Sequence, residues 1–126
     1  MSNVTFNVEL EDEQLDDEAL QEATRQVCNE VAAIAGVEAA ELIPVTTVDP
    51  NAKGIGGFLV NAFKVVASSE IATSLLGTLA ELNAGRRVKL ELERTVGGNT
   101  KKINVTVGSP KDLERVVPQI QQLLDN

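Results

Sequence analysis

Apolar and polar side chains alternate in three parts of the chain, and this period of two predicts β-strands. Residues 4–10 place an apolar side chain at every second position, as in a strand with one buried face. Residues 88–96 and 103–107 alternate in the same way on either side of a turn that contains Gly97-Gly98. Because a short glycine turn joins the last two runs, they predict a β-hairpin.

Two other parts of the chain repeat apolar residues at helical spacing. Residues 17–35 predict an amphipathic helix, with Asp16 or Asp17 as its N-cap. Ser109-Pro110 opens the last predicted helix, because serine caps helices and proline suits the first helical position. Pro118 lies inside that helix and is expected to kink it or split it in two.

The central stretch Gly54–Gly85 is the longest apolar part of the chain. Its charged residues are Lys64, Glu70 and Glu81. The spacing predicts two helices, over residues 54–68 and 70–83, with a break at Ser68-Ser69. A helix that is apolar around most of its circumference must be hidden in a core, in a partner or in a membrane.

Together these elements predict the order β-α-β-α-α-β-β-α, in which residues 37–45 supply the second strand. The expected fold is α+β: one domain over residues 1–126, with a four-stranded mixed sheet packed against helices that include a central apolar pair. Any part of that pair left uncovered by the sheet is the expected binding surface.

Composition and charge narrow the function. The chain has 126 residues and a net charge of −8, with three Phe, no Trp and no Tyr. A nucleic-acid reader needs stacking rings or a basic face, so nucleic acid is not an expected partner. Residues 1–85 carry 14 acidic and three basic side chains, whereas residues 86–126 carry five and eight.

The acidic side chains are concentrated in residues 9–18, which hold seven acids and no base. Such a run is either a solvated loop or a patch that steers a basic partner. Cys28 is the single cysteine, so it forms no internal disulfide and favours a reducing compartment. The N-terminus lacks the pattern of a signal peptide, and the expected location is cytoplasmic.

Catalytic chemistry finds little support. The chain has no His and no Tyr, so serine or thiol nucleophiles lack their usual base. The acidic run also lacks the spacing of a calcium loop. We therefore predict a protein that is not an enzyme and uses no cofactor or metal.

Two further hypotheses concern the central stretch. Lys53 precedes Gly54, Gly56 and Gly57, and glycines at a helix N-terminus can bind an anion or small ligand through free backbone N–H groups. Alternatively, segment 54–83 is membrane-active and inserts on activation. Lys64 and Glu70 interrupt it too often for a permanent membrane-spanning helix.

Short motifs resemble the effector-associated constant component family of bacterial conflict systems. They are the loop end Ala52-Lys53-Gly54, the strand Arg86–Glu91 leading into Gly97-Gly98, and the helix start Ser109–Glu114. The resemblance covers nearly the full chain. It implies a non-enzymatic adaptor or regulator of bacterial immunity and antiviral defence, which acts beside effectors such as proteases or other toxic proteins.

On this interpretation the protein couples sensing to an effector through protein–protein interaction, while self-assembly stays open and membrane contact is expected only on activation. The candidate interaction residues lie in the loop and the first predicted central helix. They are Lys53, Gly54, Gly56, Gly57, Phe58, Asn61 and Lys64.

Overall fold

The computed structural model describes residues 3–45, 54–83, 86–108 and 111–124. Six strands and three helices occupy these ranges. The strands are β1 (Asn3–Glu11), β2 (Val37–Pro44), β3 (Gly54–Ile55), β4 (Phe58–Ser68), β5 (Arg87–Val96) and β6 (Asn99–Val107). The helices are α1 (Asp17–Ala32), α2 (Ala72–Leu82) and α3 (Asp112–Leu124), and a 3₁₀ turn (Ser69–Ile71) precedes α2.

The strands form one sheet in the order β2-β4-β1-β5-β6, and β3 pairs with β4 beyond this path. The α+β class is therefore confirmed. The prediction of a four-stranded mixed sheet is wrong, because the sheet has six strands. In the described ranges every strand pairing is antiparallel.

The main error concerns the predicted helix over residues 54–68. This segment forms the short strand β3, a turn, and the long strand β4, which lies between β1 and β2. A continuous apolar run does not distinguish a buried strand from a buried helix by periodicity. The prediction of a central helical pair is therefore wrong. The apolar side chains of β4 belong instead to a strand in the interior of the sheet.

The second half of that stretch is helical, as predicted. The Ser68 hydroxyl accepts a hydrogen bond from the backbone N–H of Glu70, which caps the 3₁₀ turn before α2. The predicted break at Ser68-Ser69 thus separates a strand from a helix. In α1, the Asp16 carboxylate accepts from the backbone N–H of Ala19 at 2.8 Å, as predicted for an N-cap.

All three helices cover the same face of the sheet. The side chains of Val4, Phe6, Val8 and Leu10 on β1 are buried against them. The helices contribute Val27, Cys28, Val31, Leu75, Leu76, Leu79, Val116, Ile120 and Leu123 to this core. Pro118 lies within α3, which continues through it and is not split. Ser109-Pro110, the predicted start of that helix, lies outside the described residues.

Two turns with the same geometry close the hairpins. The predicted turn Gly97-Gly98 joins β5 to β6 with φ values of 59° and 84°, which confirms the hairpin. Gly56-Gly57 joins β3 to β4 with φ values of 62° and 86°. Two central residues with positive φ are typical of a type I′ turn, which favours glycine.

Two glycines should respond to alanine in opposite directions. Gly98→Ala should lower the free energy of unfolding by about 1–2 kcal/mol, because its left-handed conformation penalises a Cβ. Gly77→Ala should raise that free energy by roughly 0.5–1 kcal/mol, because Gly77 lies inside α2 and its added Cβ meets no atom within 4 Å. Urea denaturation followed by circular dichroism measures both changes. Equal effects at the two sites would contradict the turn geometry.

Candidate interaction surface

The β3–β4 hairpin contains most of the predicted interaction residues. Gly54 and Ile55 form β3, the turn follows, and Phe58 begins β4. Ile55 and Phe58 are 36% and 40% exposed, which makes them two of the three large apolar side chains at the surface of the described residues. Lys53 lies outside those residues.

The side chain of Gln21 on α1 connects this hairpin to the helices by hydrogen bonds. Its side-chain amide nitrogen lies 2.9 Å from the carbonyl oxygen of Ile55, 3.2 Å from that of Phe58 and 3.4 Å from that of Leu59. The Gln21 side chain is 6% exposed. These contacts are partly buried, and through them one amide stabilises both strands of the hairpin at once.

Thr24 continues the same line of contacts one turn along α1. Its hydroxyl lies 2.8 Å from the Leu20 carbonyl oxygen and 3.1 Å from the Val60 carbonyl oxygen. Gln21 is not among the residues predicted from the sequence. A usable signal was present, because Gln21, Thr24 and Cys28 recur at helical spacing on the buried face, where a long polar side chain needs a partner.

The other two predicted interaction residues lie away from the hairpin tip. The Asn61 amide nitrogen lies 3.3 Å from the carbonyl oxygen of Leu10 and 3.4 Å from the Glu9 carboxylate, at the end of β1. Lys64 is exposed and pairs in register with Asn7 of β1 and Glu41 of β2. Six residues along the strand put it about 20 Å from Phe58. The structure therefore divides the predicted site.

Lys64 belongs to the face of the sheet opposite the helices. A shallow cavity of about 360 Å³ crosses this face, and Asn7, Glu9, Lys89 and Glu91 are among its lining residues. The Asn7 amide lies 3.4 Å from Glu91, and the Lys89 ammonium lies 2.7 Å from Glu11 outside the cavity. The hydrogen bond and charge of Glu11 raise the pKa of Lys89. The Glu91 carboxylate and the Lys89 ammonium of this cavity thus each have a partner.

The acidic run is partly used inside the fold. Asp16 caps α1, and the Asp12 carboxylate lies 3.0 Å from the Arg86 guanidinium just before β5. The hydrogen bond from Arg86 and a second one from the backbone N–H of Gln14 lower the pKa of Asp12. The run therefore serves in part to connect β1, α1 and β5.

Acidification should remove the contribution of Asp12 to stability. Its pKa in the folded chain lies below the usual value of 3.8, so this contribution is complete above that value and is lost as the pH falls through the folded pKa. Asp12→Asn should lower the urea midpoint at pH 7, and the difference from the unmodified chain should shrink in acid. Glu13→Gln removes the same charge from an exposed position in the same turn and is the matched control. Equal pH dependence in both variants would contradict a specific role for the ion pair.

Other chemistry is sparse in the described residues. They contain no group of three or more His, Cys, Asp and Glu side chains that could hold a metal ion. None of their helices has the length and apolar character that a bilayer-spanning helix needs. Cys28 is buried, and this burial, together with the negative charge of Glu41, raises the pKa of its thiol.

Comparison with protein-family models, with curated proteins and with solved structures finds no match to this chain.

Proposed function

We propose that the protein is a cytoplasmic, non-enzymatic adaptor of a bacterial conflict system, which couples sensing to an effector through protein–protein contacts. The sequence motifs that resemble the effector-associated constant component family motivate this proposal. The effector is a protease or another toxic protein.

The observation that carries the proposal is the apolar tip of the β3–β4 hairpin. Ile55 and Phe58 are exposed at adjacent, paired positions. Aromatic and aliphatic side chains that leave water together often dominate the energy of an interface. Gln21 holds the backbone of both residues, so the hairpin loses little conformational freedom when a partner binds.

Two alternatives were also predicted from the sequence, and the structure adds no support to either. The membrane hypothesis has segment 54–83 insert on activation, and in the structure β4 occupies most of the first helix predicted for that segment. The hypothesis of a small-ligand or anion site placed the glycines of this loop at a helix N-terminus, whereas Gly56-Gly57 forms the turn of a hairpin. Neither observation favours a second candidate function.

The test is capture of the effector encoded beside this protein by the purified full chain. We expect binding by the unmodified chain and a loss of at least about tenfold in affinity for the double variant Ile55→Ser/Phe58→Ser, because exposed apolar anchors contribute most at the centre of an interface. Calorimetry would measure both affinities. No binding by the unmodified chain overturns the proposed function.

Val96→Ser is the matched control. Val96 is 42% exposed, carries a large apolar side chain and flanks the other glycine turn. Its substitution should leave effector affinity unchanged. If it weakens binding as much as the double variant, the hairpin tip of β3–β4 is not the effector surface.

A further inference from the structure

The outer edge of β6 differs from the other edge of the sheet. In the described part of the chain β6 pairs with β5 alone, through nine consecutive residue pairs without a register shift. The edge strand β2 has two register shifts and ends at Pro44. Bulges and proline discourage strand pairing at an edge, so β2 is protected in a way that β6 is not.

The hairpin geometry identifies which backbone groups β6 offers. The type I′ turn closes with a hydrogen bond between Val96 and Asn99, and hydrogen-bonded pairs then alternate along an antiparallel ladder. Residues 101, 103 and 105 therefore bond to β5. Lys102, Asn104 and Thr106 direct their N–H and C=O groups away from it, and all three are exposed.

A groove runs between this edge and α3. Three adjoining cavities of about 300, 460 and 220 Å³ line up along β6 and share residues with their neighbours. Gln119 and Leu123 supply much of the α3 wall, and Ile103 lies on the strand side. A strand edge beside a helix is the geometry in which an extended peptide can bond to the edge and place alternate side chains in the groove.

The charged side chains that line the groove are basic. They are Arg94, Lys101, Lys102 and Arg115, and no acidic side chain lines the three cavities among the described residues. The chain as a whole has a net charge of −8, so the charge of this edge is opposite in sign to the net charge of the protein. The groove therefore complements an acidic ligand.

Two of these bases have carboxylate partners at the surface. The Lys102 ammonium lies 3.7 Å from Glu93, and the Arg115 guanidinium lies 2.6 Å from Asp112. The Lys102 and Arg115 side chains are more than half exposed. Exposed ion pairs contribute only about 0–1 kcal/mol, so a ligand carboxylate can replace either partner at low cost.

We propose that the β6–α3 groove binds an extended acidic segment of a partner protein other than the effector, by strand addition to β6. This inference rests on the proposed function, because an adaptor needs a second surface besides the β3–β4 hairpin. The acidic run of a second copy is a poor occupant, since residues 9–18 are folded into β1, a turn and the start of α1.

The test titrates the isotope-labelled full chain with a capped nine-residue peptide in which Glu alternates with Val and Thr. Hydrogen exchange at the amides of Lys102, Asn104 and Thr106 should slow by at least about tenfold, because peptide bonding protects outward N–H groups. The amides of residues 101, 103 and 105 should change little. A peptide with Lys in place of Glu should not bind.

Two variants separate charge from backbone pairing. Lys101→Glu/Arg115→Glu should weaken binding of the acidic peptide at least about tenfold, since it reverses two charges in the groove. Asn104→Pro should abolish binding because it removes an outward N–H group, whereas Asn104→Ala keeps that group and should bind normally. Circular dichroism checks that each variant folds. If Asn104→Pro does not fold, the double variant Lys101→Glu/Arg115→Glu still tests the groove.

Three results would overturn the inference. They are no protection of β6 by the acidic peptide, equal binding of the Lys peptide, and concentration-dependent self-association that protects β6 without any peptide. Effector capture distinguishes failure of the groove proposal from failure of the proposed function. If the unmodified chain still binds its effector through the hairpin, only the groove assignment is wrong.

Discussion

Phe63→Ala should lower the free energy of unfolding by about 3–5 kcal/mol, the cost of emptying a large buried aromatic site. Phe63 is 0% exposed and lies on β4, paired with Val8 of β1 and Leu42 of β2. Its ring faces the core beneath the helices, so alanine leaves a cavity in the middle of the sheet. Urea denaturation measures the loss.

Phe58→Ala is the matched control on the same strand. Phe58 is 40% exposed at the hairpin tip, so its removal should change the free energy of unfolding by less than about 1 kcal/mol. The comparison also tests strand against helix. A helix over residues 54–68 would place both rings on one broad apolar face, and similar losses at the two sites would contradict the sheet.

Gln21→Leu should lower the free energy of unfolding by about 1–3 kcal/mol. The substitution keeps a side chain of similar size but removes the donor from the carbonyl groups of Ile55 and Phe58, whose hydrogen bonds measure 2.9 and 3.2 Å. An ordinary hydrogen bond contributes about 0.5–1.5 kcal/mol and two are lost, although the carbonyl groups keep their backbone partners in the pairing of β3 with β4.

Gln21→Leu should also destabilise the β3–β4 hairpin locally, in addition to lowering the free energy of unfolding of the whole chain. Amide hydrogen exchange in β3 and the first residues of β4 should accelerate in Gln21→Leu, while exchange in the β5–β6 hairpin stays as in the unmodified chain. Gln26→Leu is the control, because Gln26 is exposed on the same helix. If the control is equally destabilised, helix propensity or solubility explains the effect, and the contact with the hairpin does not.

Regular patterns in the sequence predicted much of the fold. The alternation in β1, the alternating runs around Gly97-Gly98 and the helical spacing in α1 all correspond to observed elements. In these elements one face meets the core and the other meets water, so burial leaves a periodic signal in the sequence. The N-cap at Asp16 was predictable for a similar reason, because capping depends on neighbouring residues.

The candidate site was only partly predictable. Gly56-Gly57 and Phe58 were identified from the sequence, but as the start of a helix. The contact between Gln21 and the hairpin joins residues more than 30 positions apart. Such a pairing has no local pattern, and it depends on where α1 crosses β4.

By itself, the sequence determined the α+β class, the β5–β6 hairpin, helix α1 and the need to bury residues 54–83. Only the tertiary structure decided that residues 58–68 form a strand between β1 and β2. The physical reason is that an interior strand is apolar on most of its surface, so its period of two is hidden, and hydrogen bonds to two neighbouring strands select the extended conformation.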